Sequence, residues 1–175
     1  LLQESRLVEI EASTDPKVTL LTWQSRLSVP KGKESAKITG ANYFGLGMRF
    51  VESMDKGGKF INADGKAGVT DTNVHRSTWC AYSAMADGKP VTVAMFDYPK
   101  NFRHPATWFT MEKPFAYLCA TMNLSKEPFE IQQGKPLLLR YGVAVWDGTP
   151  EPTEIVKLYQ KWVALPVWDE KTFNP

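Results

Sequence analysis

Cysteine and histidine are scarce, two of each in 175 residues. Cys80 and Cys119 stand in separate apolar segments, with no CxxC and no Cys/His spacing that suits zinc. They read as small buried hydrophobes, and a disulfide between them stays open if the protein is exported. No apolar run approaches the ~18 residues of a membrane span. Charge of one sign is lacking too: 21 Lys and Arg face 19 Asp and Glu, spread evenly along the chain. Without a polybasic run a nucleic-acid backbone has little to grip, so no nucleic-acid partner is expected. A GxSxG nucleophile motif is missing, and no glycine-rich loop cradles phosphate, since Gly45-Leu46-Gly47 falls inside a strand pattern. Intrinsic disorder is excluded by a chain 43% apolar and 12% aromatic.

What the chain has is period-two alternation. Residues 5–12 alternate apolar with charged. In 18–29 one face carries Leu21, Trp23, Leu27 and Val29, and the other turns polar at Thr22, Gln24, Arg26 and Ser28, which predicts a half-buried strand. Further strands are expected over 45–52, 78–85, 91–97, 115–122 and 137–146, separated by Gly, Asp, Asn and Pro clusters. Strands without intervening amphipathic helices predict an all-β, antiparallel β-sandwich over 1–148. One helix follows within 149–175, packed on the sandwich. Thr149 is placed to cap it, Pro150 to open it, and Ile155, Leu158, Tyr159, Trp162 and Val163 form one apolar stripe that Pro166 ends. The chain opens at Leu1 without Met and enters a strand pattern at once. That start predicts a processed or partial polypeptide, with a missing N-terminal portion or a companion chain completing any site.

Polar chemistry is densest over 97–108. Asp97 sits where a strongly apolar strand leaves the core, and Pro99 and Pro105 stiffen the loop that holds Asn101, Arg103 and His104. His75 and Arg76 occupy a second loop–strand junction. Asp97 is the candidate acid or base, with His104 or His75 assisting. Asn101, Arg103, Arg76 and Arg140 are the candidate ligand-binding groups, and the Trp108 ring is a stacking platform for a saccharide or another polar small molecule. Arg140 joins them by parity: Leu137, Leu139, Tyr141 and Val143 share an apolar face, so Arg140 lies opposite, where Gly142 and Ala144 leave room for a ligand. No metal or other cofactor is expected. The loop 53–77 does carry oxygen donors at Asp55, Asn62, Asp64, Asp71 and Asn73 that leave Ca²⁺ open, although turn chemistry explains them and no EF-hand spacing is present. Six Trp are present; Trp23, Trp79, Trp146 and Trp162 fall on patterned faces, and Trp168 lies in the tail.

The residues Trp79, Tyr82, Phe96, Asp97, Pro99, Asn101, Arg103, Pro105 and Trp108, with Gly45-Leu46-Gly47-Met48-Arg49 upstream and Leu139-Arg140-Tyr141 downstream, resemble a bacterial family catalogued as "methane oxygenase PmoA"-like. The resemblance spans about residues 18–148. It departs where many members read Trp-His-x-Arg and this chain reads Trp108-Phe109-Thr110-Met111. A membrane monooxygenase subunit needs spanning helices, which this sequence lacks. The resemblance instead implies a β-supersandwich of the galactose-mutarotase type, longer than this chain, exported to the periplasm or cell exterior and engaged in carbohydrate binding or processing. Glycoside cleavage needs two facing carboxylates, and only Asp97 is well placed here. Catalysis is therefore left open beside the rival class, a non-catalytic binding or structural module of a larger assembly.

Overall fold

A computed structural model describes residues 1–12 and 15–167. In chain order the elements are β1 (Gln3–Glu11), β2 (Val18–Ser28), β3 (Ser35–Ile38), β4 (Gly45–Arg49), β5 (Lys59–Asn62), α1 (Gly68–Thr72), β6 (Trp79–Ala86), β7 (Lys89–Asp97), β8 (Thr107–Met111), β9 (Tyr117–Thr121), β10 (Phe129–Gln132), β11 (Leu137–Asp147) and α2 (Pro152–Val163). Every strand pairing is antiparallel. Six strands form one sheet in the order β1-β2-β11-β7-β6-β5; a three-stranded sheet, β4-β9-β8, and a two-stranded one, β10-β3, complete the fold. The expected antiparallel sandwich with one C-terminal amphipathic helix is present.

The large sheet is buried on both faces. On one, Met95, Cys80, Tyr82, Leu139 and Tyr141 meet Trp108, Leu118 and Ala120 of the three-stranded sheet. On the other, Phe96, Ala94, Trp79, Ala144 and Trp146 meet Ile155 and Trp162 of α2. Double burial explains why β6 and β7 read as near-continuous apolar runs instead of clean alternation. It also corrects the half-buried reading of β2. Its polar face lies under the helix, where Thr22 accepts a hydrogen bond from the Trp162 indole N–H at 2.9 Å and donates to Glu11 at 2.6 Å. The hairpin between β6 and β7 turns on Asp87 and Gly88, both at positive φ (48° and 83°), the two-residue geometry that an Asp-Gly pair favours.

Several local expectations shift. Helix α2 starts at Pro152, later than expected, because Glu151 and Glu154 form a reciprocal capping box; the Glu151 N–H donates to Glu154 at 2.8 Å. The stretch 53–77 contains β5 and α1, and the polar segment expected over 97–108 already gives way to strand β8 at Thr107. Trp168 and the tail beyond Val167 lie outside the described residues. Cys80 and Cys119 are both free and buried, so the disulfide left open by the sequence is not formed. Among the described residues no helix is long and apolar enough to cross a membrane.

The helix is seated by a glycine. At Gly142 a Cβ would stand 2.8 Å from the Trp162 ring and 2.9 Å from Phe96, so only a bare Cα lets the indole lie against β11. Gly142→Ala should therefore destabilise the fold by about 1–3 kcal/mol through overpacking, read as a lower urea midpoint. An unchanged midpoint would show that Trp162 is not held against this position.

Candidate functional site

Strand β7 ends at Asp97, opposite Tyr141 in the ladder with β11. Asp97 is 1% exposed and both its carboxylate oxygens are occupied. One accepts from the Asn101 amide at 2.7 Å; the other accepts from His104 Nδ1 at 2.7 Å and from the Ala106 N–H at 2.8 Å. Burial raises the Asp97 pKa, and the hydrogen bonds from Asn101 and His104, with the His104 charge and the Ala106 N–H, pull it back. Asn101 goes further. Its carboxamide donates to the Arg140 C=O at 2.6 Å and accepts the Arg140 N–H at 2.7 Å, replacing the strand partner that β11 loses where β7 stops. The loop thus folds back on its own backbone needs.

The arginines of the motif serve the same loop. Arg76 donates to the carbonyls of Pro105, Arg103 and His104 at 3.1, 3.2 and 3.0 Å. Arg103, at φ 61°, donates to the carbonyls of Met122 and Glu127, both at 2.7 Å, pairs with the Glu127 carboxylate at 3.3 Å and stacks on Phe102. The structure therefore brings Asp97, Asn101, His104, Arg103 and Arg76 into one knot, but turns most of their polar atoms inward. The His104 ring is the most accessible of the buried pair. Its one hydrogen-bonded partner among the described residues is Asp97, an arrangement that orients the imidazole without supplying a nucleophile.

Three expected members fall elsewhere. His75 pairs with Asp64 at 2.9 Å, apart from the Asp97 network. Trp108 is fully buried and donates its indole N–H to the Ser77 carbonyl at 2.9 Å, so it is a core ring and not a stacking platform. Arg140 lies on the α2 face of the large sheet, while Asp97, in register with Tyr141, points to the sandwich face. The predicted Arg140–Asp97 convergence is thus broken by strand parity, and the space over Gly142 is taken by Trp162. The Arg140 guanidinium sits between the Tyr98 and Trp162 rings, 4.8 Å from each centroid. Burial lowers its pKa, and Tyr98, Glu11 and Glu9 act in the opposite direction. The oxygen donors of 53–77 are dispersed: Asp55 accepts from the Ala116 N–H, Asn62 from Asp64 and Lys66, and Asn73 from Thr110. Among the described residues no group of three or more His, Cys, Asp or Glu gathers to hold a metal.

The sequence reading missed a groove on the outer face of the three-stranded sheet. Tyr43, Arg49, Phe109, Met111, Phe115 and Tyr117 line about 350 Å³ there. Phe109 lies 5.9 Å from Tyr43 and 6.0 Å from Tyr117, centroid to centroid, and Arg49 stacks on Phe115 at 3.7 Å. Gly47 is a condition of this surface, since a Cβ there would collide with the Tyr117 hydroxyl. Strand parity was the available signal: with Trp108 and Thr110 inside, Phe109 and Met111 must face out.

If Asn101 is a fold-holding residue, Asn101→Ala leaves the buried Arg140 N–H and C=O and one Asp97 oxygen short of partners. The expected loss is on the order of 3–9 kcal/mol of stability, at about 1–3 kcal/mol for each of the three buried groups left unsatisfied. Chemical denaturation checks this, and wild-type stability in the variant would return Asn101 to the list of ligand-binding candidates.

Comparison with known families gives one finding: the model of the Family of unknown function (DUF6807) matches residues 1–160. No curated protein and no solved structure matches the chain. On that match, which takes in the large sheet, both small sheets and most of α2, the chain belongs to DUF6807, a family of unknown function.

Proposed function

We propose that this protein binds carbohydrate without cleaving it, and that the saccharide seats in the groove of Tyr43, Phe109, Phe115 and Tyr117. The observation that carries this reading is a cluster of partly exposed rings on a flat outer sheet face, with the Arg49 guanidinium and two phenol hydroxyls at its margin. Sugar rings offer an apolar C–H face for stacking and hydroxyls for hydrogen bonds, and this surface supplies both kinds of partner. The groove volume of about 350 Å³ falls within the ~300–1,000 Å³ of small-molecule sites. Burial, with Cys119 and Tyr43 nearby, pushes the Tyr117 phenol up to about 12, so it stays a neutral donor at physiological pH. Cleavage is disfavoured because the one buried carboxylate of the motif, Asp97, spends both oxygens on its own loop. An exported setting, in the periplasm or outside the cell, and a supersandwich relationship of the mutarotase type belong to this reading and draw on the 97–108 motif.

A second reading, a module that packs against a companion segment or chain, has its own support. Val8, Ile10 and Val145 leave an apolar strip at the open end of the sandwich face, with Ile10 75% exposed. Ile10→Asp and Tyr117→Ala separate the two readings, since only the second should lower saccharide affinity.

Calorimetric titration of neutral mono- and oligosaccharides against wild type, Phe109→Ala and Tyr117→Ala is the direct test. Loss of one stacking ring should weaken binding by about 0.5–1.5 kcal/mol, roughly 2- to 12-fold. Absent binding, or equal affinity in all three proteins, would remove the groove as a saccharide site.

A further inference from the structure

Strand β4 reads Gly45-Leu46-Gly47-Met48-Arg49, and its alternation turns Leu46 and Met48 toward the core and Gly47 and Arg49 outward. Tyr117 of β9 stands in register with Arg49, and Met111 of β8 in register with Tyr117, so the three cross the outer face in one row. Phe109 holds the next row, opposite Cys119. Arg49 is the one charged residue lining this groove among the described residues. It is exposed, and its guanidinium lies over the Phe115 ring, 3.7 Å from the centroid. A guanidinium stacked by its face keeps its N–H edges for other partners. Among the described residues the Arg49 side chain makes no hydrogen bond or ion pair that would use them.

The surroundings leave those edges to a ligand. The other walls are rings and Met111, which suit the apolar C–H face of a pyranose. Glu112 lies off the groove, in the adjoining depression that shares Phe109 and Met111, where Lys113 accompanies it. The undescribed Asp169 and Glu170 follow α2, which packs on the far face of the large sheet. A neutral sugar would use the rings and leave the guanidinium to water. A uronic acid would use both, because its carboxylate projects from the ring edge and matches the planar fork of an arginine in two parallel hydrogen bonds. Given the reading of this groove as a saccharide site, we infer that its ligand is an acidic saccharide. A uronic acid residue stacks on the Phe109 and Tyr117 rings and sets its carboxylate on Arg49.

Methyl β-glucuronide and methyl β-glucoside differ only in a carboxylate against a hydroxymethyl group, and acetate supplies a carboxylate alone. Calorimetric titration of the whole chain should show the glucuronide bound about tenfold more tightly than the glucoside at low salt, a preference that shrinks as salt is added. Arg49→Gln should bring the two glycosides within about twofold of each other. Its urea midpoint, expected at the wild-type value for an exposed strand position, checks the fold. Tyr117→Ala should weaken both glycosides severalfold and keep their ratio, and acetate should bind far more weakly than the glucuronide. Equal affinity for the two glycosides in wild type, a preference that survives in Arg49→Gln, or acetate binding as tightly as the glucuronide would overturn the acidic-sugar assignment. Glucoside binding without preference overturns this assignment alone and leaves the saccharide reading standing. Absent binding of both glycosides, or full affinity in Tyr117→Ala, removes the two together.

Discussion

Trp162 pressed onto the bare Cα of Gly142 is the contact on which the architecture turns, because it covers the second face of a six-stranded sheet. A sheet with one wet face leaves its polar side chains there in water; this one buries them. Covering that face makes β6 and β7 apolar on both sides and obliges Thr22 to find partners in Glu11 and the Trp162 indole. It also turns Arg140 from a solvent-facing residue into a buried one, stacked between two rings. The helix is thus a third layer of the fold, and the fate of each polar residue beneath it follows from that burial.

The densest polar motif of the chain serves construction. Where β7 ends, β11 still presents an N–H and a C=O at Arg140, and Asn101 answers both. Asp97 gathers Asn101, His104 and Ala106, and Arg76 and Arg103 fasten the carbonyls of the surrounding loops. A loop so fully committed to its own backbone is rigid, and it has few groups left to meet a substrate. A surface free to act lies elsewhere, in the aromatic groove outside the small sheet. It depends on a feature that carries no motif, an outward Phe109.

Much was legible from local pattern. Period-two alternation and turn clusters placed seven of the strands, the antiparallel class followed from the lack of helices between them, and the stripe from Ile155 to Val163 identified α2. These features are local: side-chain direction along a strand or helix follows from backbone geometry alone. Short strands such as β3, β5 and β10 were not legible, because four residues carry too little periodicity to stand out.

The sequence by itself determined which residues share a face of each strand, and so that Arg140 stands with Gly142 and Ala144 and against Tyr141. Only the tertiary structure decided what meets each face. It placed Asp97 with Tyr141 and away from Arg140, closed Trp108 into the core, and filled the room above Gly142 with an indole from 20 residues further along the chain. The reason is physical. Parity is written in the backbone of a single strand, whereas the occupant of a face is set by long-range packing, in which a small residue invites a neighbouring ring as readily as a ligand.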